Sequence, residues 1–142
     1  MFSYENNLIS KEELMEIIKS SKFKELFLQH NITNVILFGS ITADSFNCES
    51  DIDIAVISNE KLSFTNELKL VQQLEKMLNR EVDLIDINDS NVNNMIKISA
   101  LNSKMVIIHD DLLEQAMSYY DNLCRENEEF WSRLDRVVLN FE

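Results

Sequence analysis

Glycine and proline are nearly missing from this chain of 142 residues, which has one glycine, Gly39, and no proline. An average chain of this length carries roughly ten glycines. The chain therefore makes its other turns without glycine but keeps one at position 39. We expect a backbone requirement there, either a positive φ angle or the close approach of another group.

Cysteines and long apolar runs are also scarce. Cys48 and Cys124 are the only cysteines, and their wide spacing favours neither a zinc site nor a disulfide framework. The N-terminal residues lack the basic and apolar segments of a signal peptide, and no run approaches the ~18 apolar residues of a membrane span. We therefore expect a reduced, cytoplasmic protein with no membrane association.

Basic residues are outnumbered, with 13 Lys and Arg against 25 Asp and Glu and a formal net charge of −12. Such a surface repels phosphate backbones, which disfavours direct binding of nucleic acid. It would suit a basic protein partner, although acidic surfaces also serve solubility. A hydrophobic content of 45% supports a sizeable core, and we expect one domain over residues 1–142.

Apolar periodicity predicts an α/β fold in which helices flank a small mixed sheet. Ser10 and Glu13 form a capping box at the first helix, and Asn31 is a plausible left-handed stop after it. The last helix is a candidate surface for a partner or a dimer, because Phe130 and Trp131 could form an exposed apolar patch there. The alternative is that these two side chains pack on the sheet. The predicted elements are helix 11–29, strand 35–38, strand 51–57, a helix capped by Ser63 or Thr65 that runs to 78, strand 81–87, helix 91–101, edge strand 104–109 and a long helix over about 111–139.

Carboxylates on two predicted strands form a candidate metal site. Asp51 and Asp53 alternate along one strand and so share a face, opposite a buried face of β-branched residues. Two carboxylates this close repel each other unless a cation is present, and Mg²⁺ prefers one or two carboxylates together with phosphate oxygens and water. Asp83 is the expected third ligand because Val82 beside it should face the core. Asp86 falls on the opposite face.

Gly39 and Ser40 form the candidate phosphate site. The amides after Gly39 begin a helical turn, and such a terminus suits the trailing phosphates of a nucleoside triphosphate. Ser40 is either a phosphate contact or a helix cap. These parts predict in-line attack on the α phosphate with release of pyrophosphate, in which metal charge stabilises both oxygens and Asp83 helps to deprotonate the nucleophile.

The spacing of these residues resembles a known family. Gly39-Ser40, ten residues and then Asp51-Ile52-Asp53 are similar to the G-S-x10-D-x-D signature of minimal nucleotidyltransferases (MNT) in the DNA polymerase β-like superfamily. The segments 103–111 and 119–121 resemble the C-terminal part of MNT antitoxins. The resemblance implies a polymerase β-like fold with two Mg²⁺ ions and ATP as substrate. It also implies transfer of AMP to a tyrosine of a HEPN-fold RNase toxin, the expected partner.

The chain departs from the family pattern in one respect, and this departure leaves alternative functions open. Members usually place an arginine shortly after Gly-Ser, whereas no Lys or Arg occurs from 41 to 60. The triphosphate charge would then be offset by metal, by backbone amides and by any basic group from elsewhere in the chain, such as Lys61, Arg80 or Lys104, and the sequence does not choose among these residues. The missing arginine favours a catalytically impaired module that neutralises its toxin by contact. A third possibility is nucleotidyl transfer to a small molecule such as an aminoglycoside, against which the short chain argues.

Overall fold

The computed structural model describes residues 10–47 and 49–126, and these form one mixed four-stranded sheet with α-helices on both faces. The predicted helical residues 127–139 lie outside the described residues, as do Cys48, Phe130 and Trp131. The elements are α1 (Lys11–Ile18), α2 (Ser21–Leu28), β1 (Asn34–Phe38), a 3-10 helix (Gly39–Thr42), β2 (Ile52–Ile57), α3 (Phe64–Leu78), β3 (Val82–Asp86), α4 (Asn94–Leu101), β4 (Met105–Ile108) and α5 (Asp111–Glu126).

The sheet has the strand order β3-β2-β1-β4. Strand β1 runs antiparallel to both β2 and β4, while β2 and β3 are parallel, so the predicted mixed sheet and the edge position of β4 are confirmed. The register places Phe38 of β1 opposite Asp53 of β2, and Asp53 beside Asp83 of β3. The end of β1 and the two aspartates therefore meet at one end of the sheet.

The single helix predicted over 11–29 is wrong, because the chain forms α1 and α2 with a break between them. Ser20 explains the break. Its hydroxyl accepts a hydrogen bond from the Phe23 amide at 3.4 Å, as a helix N-cap does, and donates to the Ile17 carbonyl at 2.6 Å. These local bonds compete with continuation of the helix. Ser10 caps α1 as predicted, and Asn31 has a φ angle of 60°, in the left-handed region.

Two hydrophobic clusters cover the sheet, one on each face. The face of Ile52, Ile54 and Val56 packs with residues of α1, α2 and α3, as the alternation predicts. The other face also becomes buried beyond Asp53, because Ala55 and Ile57 pack with residues of α4 and α5. Fully burying one such aliphatic side chain contributes about 1.5–3 kcal/mol to folding. Strand β2 is therefore enclosed on both faces along most of its length, and only its beginning is open.

The remaining predicted boundaries agree with the structure within a few residues. Ser63 caps α3 through the Asn66 amide at 3.2 Å, and Asn93 caps α4 through the Met95 amide at 2.7 Å. Asp86 is buried, and its carboxylate accepts from the Leu62 amide at 2.7 Å, so it has a structural role on the face opposite Asp83. No helix within 10–47 and 49–126 is long and apolar enough to cross a membrane.

Candidate active site

The three predicted carboxylates lie at the open end of β2 and β3. Asp53 and Asp83 occupy adjacent positions in the parallel ladder, with their side chains close enough to share a hydrogen bond. Asp51 immediately precedes β2, two residues before Asp53, and its charge acts on Asp53. Asp83 is exposed, whereas Asp51 and Asp53 are partly buried. The structure thus brings together the residues that the alternation pattern selected.

Electrostatics at this cluster favour a bound cation. The pKa of Asp53 is raised from its ordinary value of 3.8 to about 6. Burial is the largest cause of this rise, followed by the charges of Asp83 and Asp51 and then by the side-chain hydrogen bond with Asp83. An opposite charge placed between the carboxylates would remove this repulsion.

The donor set fits a divalent metal by its chemistry, since oxygen ligands on adjacent strands suit Mg²⁺. The carboxylates do not, however, form a complete metal site by themselves. Among the described residues, no group of three or more His, Cys, Asp or Glu side chains is arranged so that it could hold a metal ion. Asp53 and Asp83 therefore form a pair on adjacent strands, and Asp51 lies two residues before Asp53 in the chain.

Gly39 meets both requirements inferred from its isolation in the sequence. Its φ angle is +74°, in the left-handed region that side chains rarely adopt. A Cβ atom added here would overlap Oδ2 of Asp53 and lie 3.2 Å from Cγ of the same residue. The glycine therefore turns the chain sharply at the end of β1 and leaves space for the Asp53 carboxylate.

The segment that begins at Gly39 makes the helical turn expected from the sequence. It forms a 3-10 helix of four residues, in which the Thr42 hydroxyl donates to the Gly39 carbonyl at 2.7 Å. So short a helix aligns few peptide dipoles, so any phosphate contact would rest on individual amides and on Ser40. The role of Ser40 as a phosphate ligand stays a prediction.

Arg80 has a structural position that the sequence did not reveal. Its side chain is 4% exposed, and Nη1 donates to the carbonyls of Asn47 at 2.6 Å and Ser50 at 3.0 Å. The guanidinium also lies 4.6 Å from the centre of the Phe46 ring, a cation–π contact. Arg80 therefore holds the glycine-free loop that leads into Asp51.

The other candidate cations differ in their distance from the site. Lys61 follows the far end of β2 and donates to the Leu62 carbonyl at 3.3 Å. Lys104 directly precedes β4, whose first residue pairs with Leu37, so its backbone lies at the same sheet end as Gly39. Lys11 was missed from the sequence. Its ammonium donates to the Ala43 carbonyl at 3.4 Å and lies 5.8 Å from the centre of the Phe46 ring, and these contacts place α1 near the loop.

Family comparison agrees with this geometry. Residues 21–112 match the family model described as polymerase beta, nucleotidyltransferase. The chain belongs to this nucleotidyltransferase family. A relative from Methanocaldococcus jannaschii that is named a protein adenylyltransferase is 40% identical over 75 residues, covering 51% of this chain and 74% of the relative. A second relative of that name and organism is 29% identical over 87 residues, covering 61% of this chain and 91% of the relative.

Solved structures share the fold of this nucleotidyltransferase. A toxin–antitoxin structure with AMP-PNP gives a TM-score of 0.62 at 22% identity, covering 80% of this chain and 95% of that chain. A complex of tri-AMPylated Shewanella oneidensis HEPN toxin with MNT antitoxin gives 0.59 at 20% identity, covering 85% and 98%. The predicted minimal nucleotidyltransferase fold and the resemblance to the MNT family are confirmed.

Proposed function

We propose that this nucleotidyltransferase is an antitoxin that transfers AMP from ATP to a tyrosine of a HEPN-fold RNase toxin. The observation that carries the proposal is the paired carboxylates of Asp53 and Asp83 beside Gly39. Relatives named protein adenylyltransferases support AMP transfer to a protein, and solved MNT–HEPN complexes with the same fold support the class of partner.

In this proposal Asp51, Asp53 and Asp83 would hold two Mg²⁺ ions. When bound, Mg²⁺ would supply positive charge that stabilises the entering and leaving oxygens at the α phosphate. Asp53 is ionised at neutral pH even with its raised pKa of about 6, so it is ready to bind a cation without losing a proton. Asp83 is the exposed member of the pair and would accept the proton of the attacking tyrosine hydroxyl.

The phosphate half of the site would depend on Gly39, Ser40 and a lysine from elsewhere in the chain. Lys104 is our choice for the charge that the missing arginine would carry, because its backbone lies at the same sheet end. Arg80 is less suited, since it already binds two loop carbonyls. Lys61 lies beyond the other end of β2.

We also propose that residues 1–142 form one domain and that its C-terminal helix contacts the toxin. Within the described part of this helix, Met117 is 46% and Tyr119 is 61% exposed, so α5 presents apolar surface that a partner could cover. In this proposal the helix would bind the toxin while the target tyrosine reaches the carboxylate site.

A second candidate function is neutralisation of the toxin by contact alone. Two observations favour it: no Lys or Arg lies between 41 and 60, and the three carboxylates do not form a closed metal cluster within the described residues. This function would need the fold and the partner surface but not ATP.

Intact-mass measurement separates the two functions. The protein is incubated with Mg-ATP and a candidate HEPN-fold toxin, and we expect one or more AMP units on the toxin. Asp53→Asn should abolish the mass gain. Glu16→Gln, which removes one exposed carboxylate on α1, is the matched control and should retain it.

Full neutralisation of the toxin without any mass change would reject the transferase proposal in favour of contact. Modification of an aminoglycoside in place of the toxin would instead support a small-molecule transferase. A toxin tyrosine replaced by phenylalanine should abolish the mass gain if that tyrosine is the acceptor.

A further inference from the structure

Strand β3 forms one edge of the sheet, and no strand of the described residues pairs with its outer side. The Ile52 amide donates to the Glu81 carbonyl at 3.0 Å, so Glu81 and every second residue after it direct their backbone polar groups toward β2. The backbone groups of Val82, Leu84 and Asp86 therefore point to the outer edge. These three residues are what the open side of the sheet offers to another strand.

Both ends of this outer edge are already engaged. The Val82 amide donates to the Glu75 carboxylate at 3.0 Å, and the Asp86 carbonyl accepts from the Asp89 amide at 2.9 Å. Between them, the amide and carbonyl of Leu84 have no hydrogen-bond partner in the described part of the chain. Proteins often protect such an edge with a proline or a bulge. Neither device is used here, because the chain has no proline and the register of β3 on β2 is regular.

Exposed apolar side chains of α3 lie beside this edge. Phe64 is 76% and Leu68 is 48% exposed. Glu75 follows Phe64 by eleven residues, about three helical turns, so the two share one side of α3, and Glu75 reaches the outer edge of β3. Leu84 is partly buried and packs on the core cluster to which α3 contributes. Phe64, Leu68 and Leu84 thus form an apolar shelf along the open edge.

Charge selects the kind of strand that this edge accepts. Glu81 and Asp83 are exposed and lie on the face of β3 opposite the apolar shelf. The exposed lysines of α3, Lys69 and Lys76, lie roughly 120–140° around the helix from Phe64 and so do not neutralise this face. A second copy of the chain would bring the same acidic residues and a further net charge of −12, which disfavours self-pairing. A basic strand would instead meet complementary charge.

We propose that the outer edge of β3 binds an extended segment of a basic partner protein, in which apolar residues alternate with Lys or Arg. The segment would add a fifth strand to the sheet by hydrogen bonding to Leu84. Its apolar side chains would cover the shelf, and its basic side chains would lie beside Glu81 and Asp83. Binding of this kind needs neither ATP nor nucleotidyl transfer, so it stands apart from the proposed function.

Isothermal titration of the full chain with synthetic peptides, with a chelator present, tests the kind of partner. The probe is a seven-residue peptide of alternating Lys and Val with blocked ends. It is compared with an alternating Glu and Val peptide and with a block peptide of four Lys followed by three Val. We expect the alternating basic peptide to bind most tightly, with a Kd that rises with salt. No binding of this peptide, or an equal Kd for either comparison peptide, would overturn the proposal.

Hydrogen exchange locates the bound peptide. The Leu84 amide should exchange rapidly in the full chain alone and at least about tenfold more slowly with saturating peptide, because it gains an acceptor. The amides of Asp83 and Ile85 face β2 and should stay protected in both states. Binding without protection of Leu84 would contradict the added strand. Protection of Leu84 in the chain alone would also contradict it, and a dimer in sedimentation would then assign the edge to a second copy.

Four single substitutions at exposed positions, which should all fold, test the shelf and the charge. Phe64→Ala should raise the Kd of the alternating basic peptide by about five- to tenfold. Ile96→Ala, at a 45% exposed isoleucine on α4, is its matched control and should leave Kd unchanged. Glu81→Gln should raise Kd by about two- to threefold at low salt, whereas Glu16→Gln on α1 should not. A wild-type Kd in Phe64→Ala would rule out the shelf as the docking surface.

Discussion

The raised pKa of Asp53 predicts that the carboxylate site destabilises the metal-free protein at neutral pH. A rise from 3.8 to about 6 corresponds to about 3 kcal/mol if the group were fully desolvated. Asp53 is only partly buried, so solvent screening reduces this to about 1–2 kcal/mol. Asp53→Asn removes the charge and the repulsion from Asp51 and Asp83. We therefore expect this variant to be more stable than the wild type above pH 7.

The pH dependence follows from linkage. Because the pKa is higher in the folded state, the folded protein binds more protons between pH 3.8 and about 6, and its stability falls as the pH rises through this window. The Asp53 contribution is fully present below pH 3.8 and is lost above pH 6. The stability difference between Asp53→Asn and wild type should accordingly be near zero at pH 4 and reach its plateau by pH 7.

Urea unfolding followed by circular dichroism at pH 4, 5, 6, 7 and 8, with a chelator present, measures this difference. Glu16→Gln on the exposed face of α1 is the control, and its effect should stay within about 0.5 kcal/mol at every pH. A difference that does not change with pH, or an Asp53→Asn variant less stable than wild type at pH 8, would refute the reasoning. Added Mg²⁺ should stabilise the wild type at pH 8 and leave the variant unchanged.

Three further substitutions probe the surroundings of the site. Gly39→Ala forces a side chain into a positive φ angle and against Asp53, so urea unfolding should show a loss of at least about 1 kcal/mol and transfer activity should disappear. Arg80→Met leaves the Asn47 and Ser50 carbonyls without their donor and should lower the free energy of unfolding by about 2–4 kcal/mol, whereas Arg80→Lys should lower it less. If Arg80→Met were as stable as the wild type, Arg80 would not hold the loop. Ser63→Ala removes the α3 cap and should lower Tm by about 2–4 °C; an unchanged Tm would show that the cap contributes nothing.

Features of the site that depend on local sequence could be predicted. The backbone requirement at Gly39 was predicted because it is the only glycine in the sequence. The structure shows both expected causes, a positive φ angle and the close approach of another group, the Asp53 carboxylate. The shared face of Asp83 and Asp53, and the opposite face of Asp86, followed from strand alternation, whereas the pairing of β2 with β3 is given by the structure. The strands were found because their runs of Ile and Val are short and are bounded by polar residues.

Features that depend on distant contacts could not be predicted. Arg80 reaches the carbonyl of Asn47 across 33 residues and Lys11 reaches Ala43 across 32, and no local pattern marks either contact. The break between α1 and α2 was missed for a different reason. Apolar spacing continues through it, and the capping bond of Ser20 prevails over that periodicity.

The burial of β2 on both faces has a dynamic consequence. Ile54, Ala55 and Val56 are fully buried at the middle of the strand, which has a neighbouring strand on each side. Amide protons of this strand should therefore exchange with solvent only when the whole domain unfolds, while those of α5, which packs on a single cluster, should exchange through smaller openings. Local opening of α5 would leave β2 and its aspartates in place, so the C-terminal helix is free to adjust to another molecule without disturbing the carboxylates.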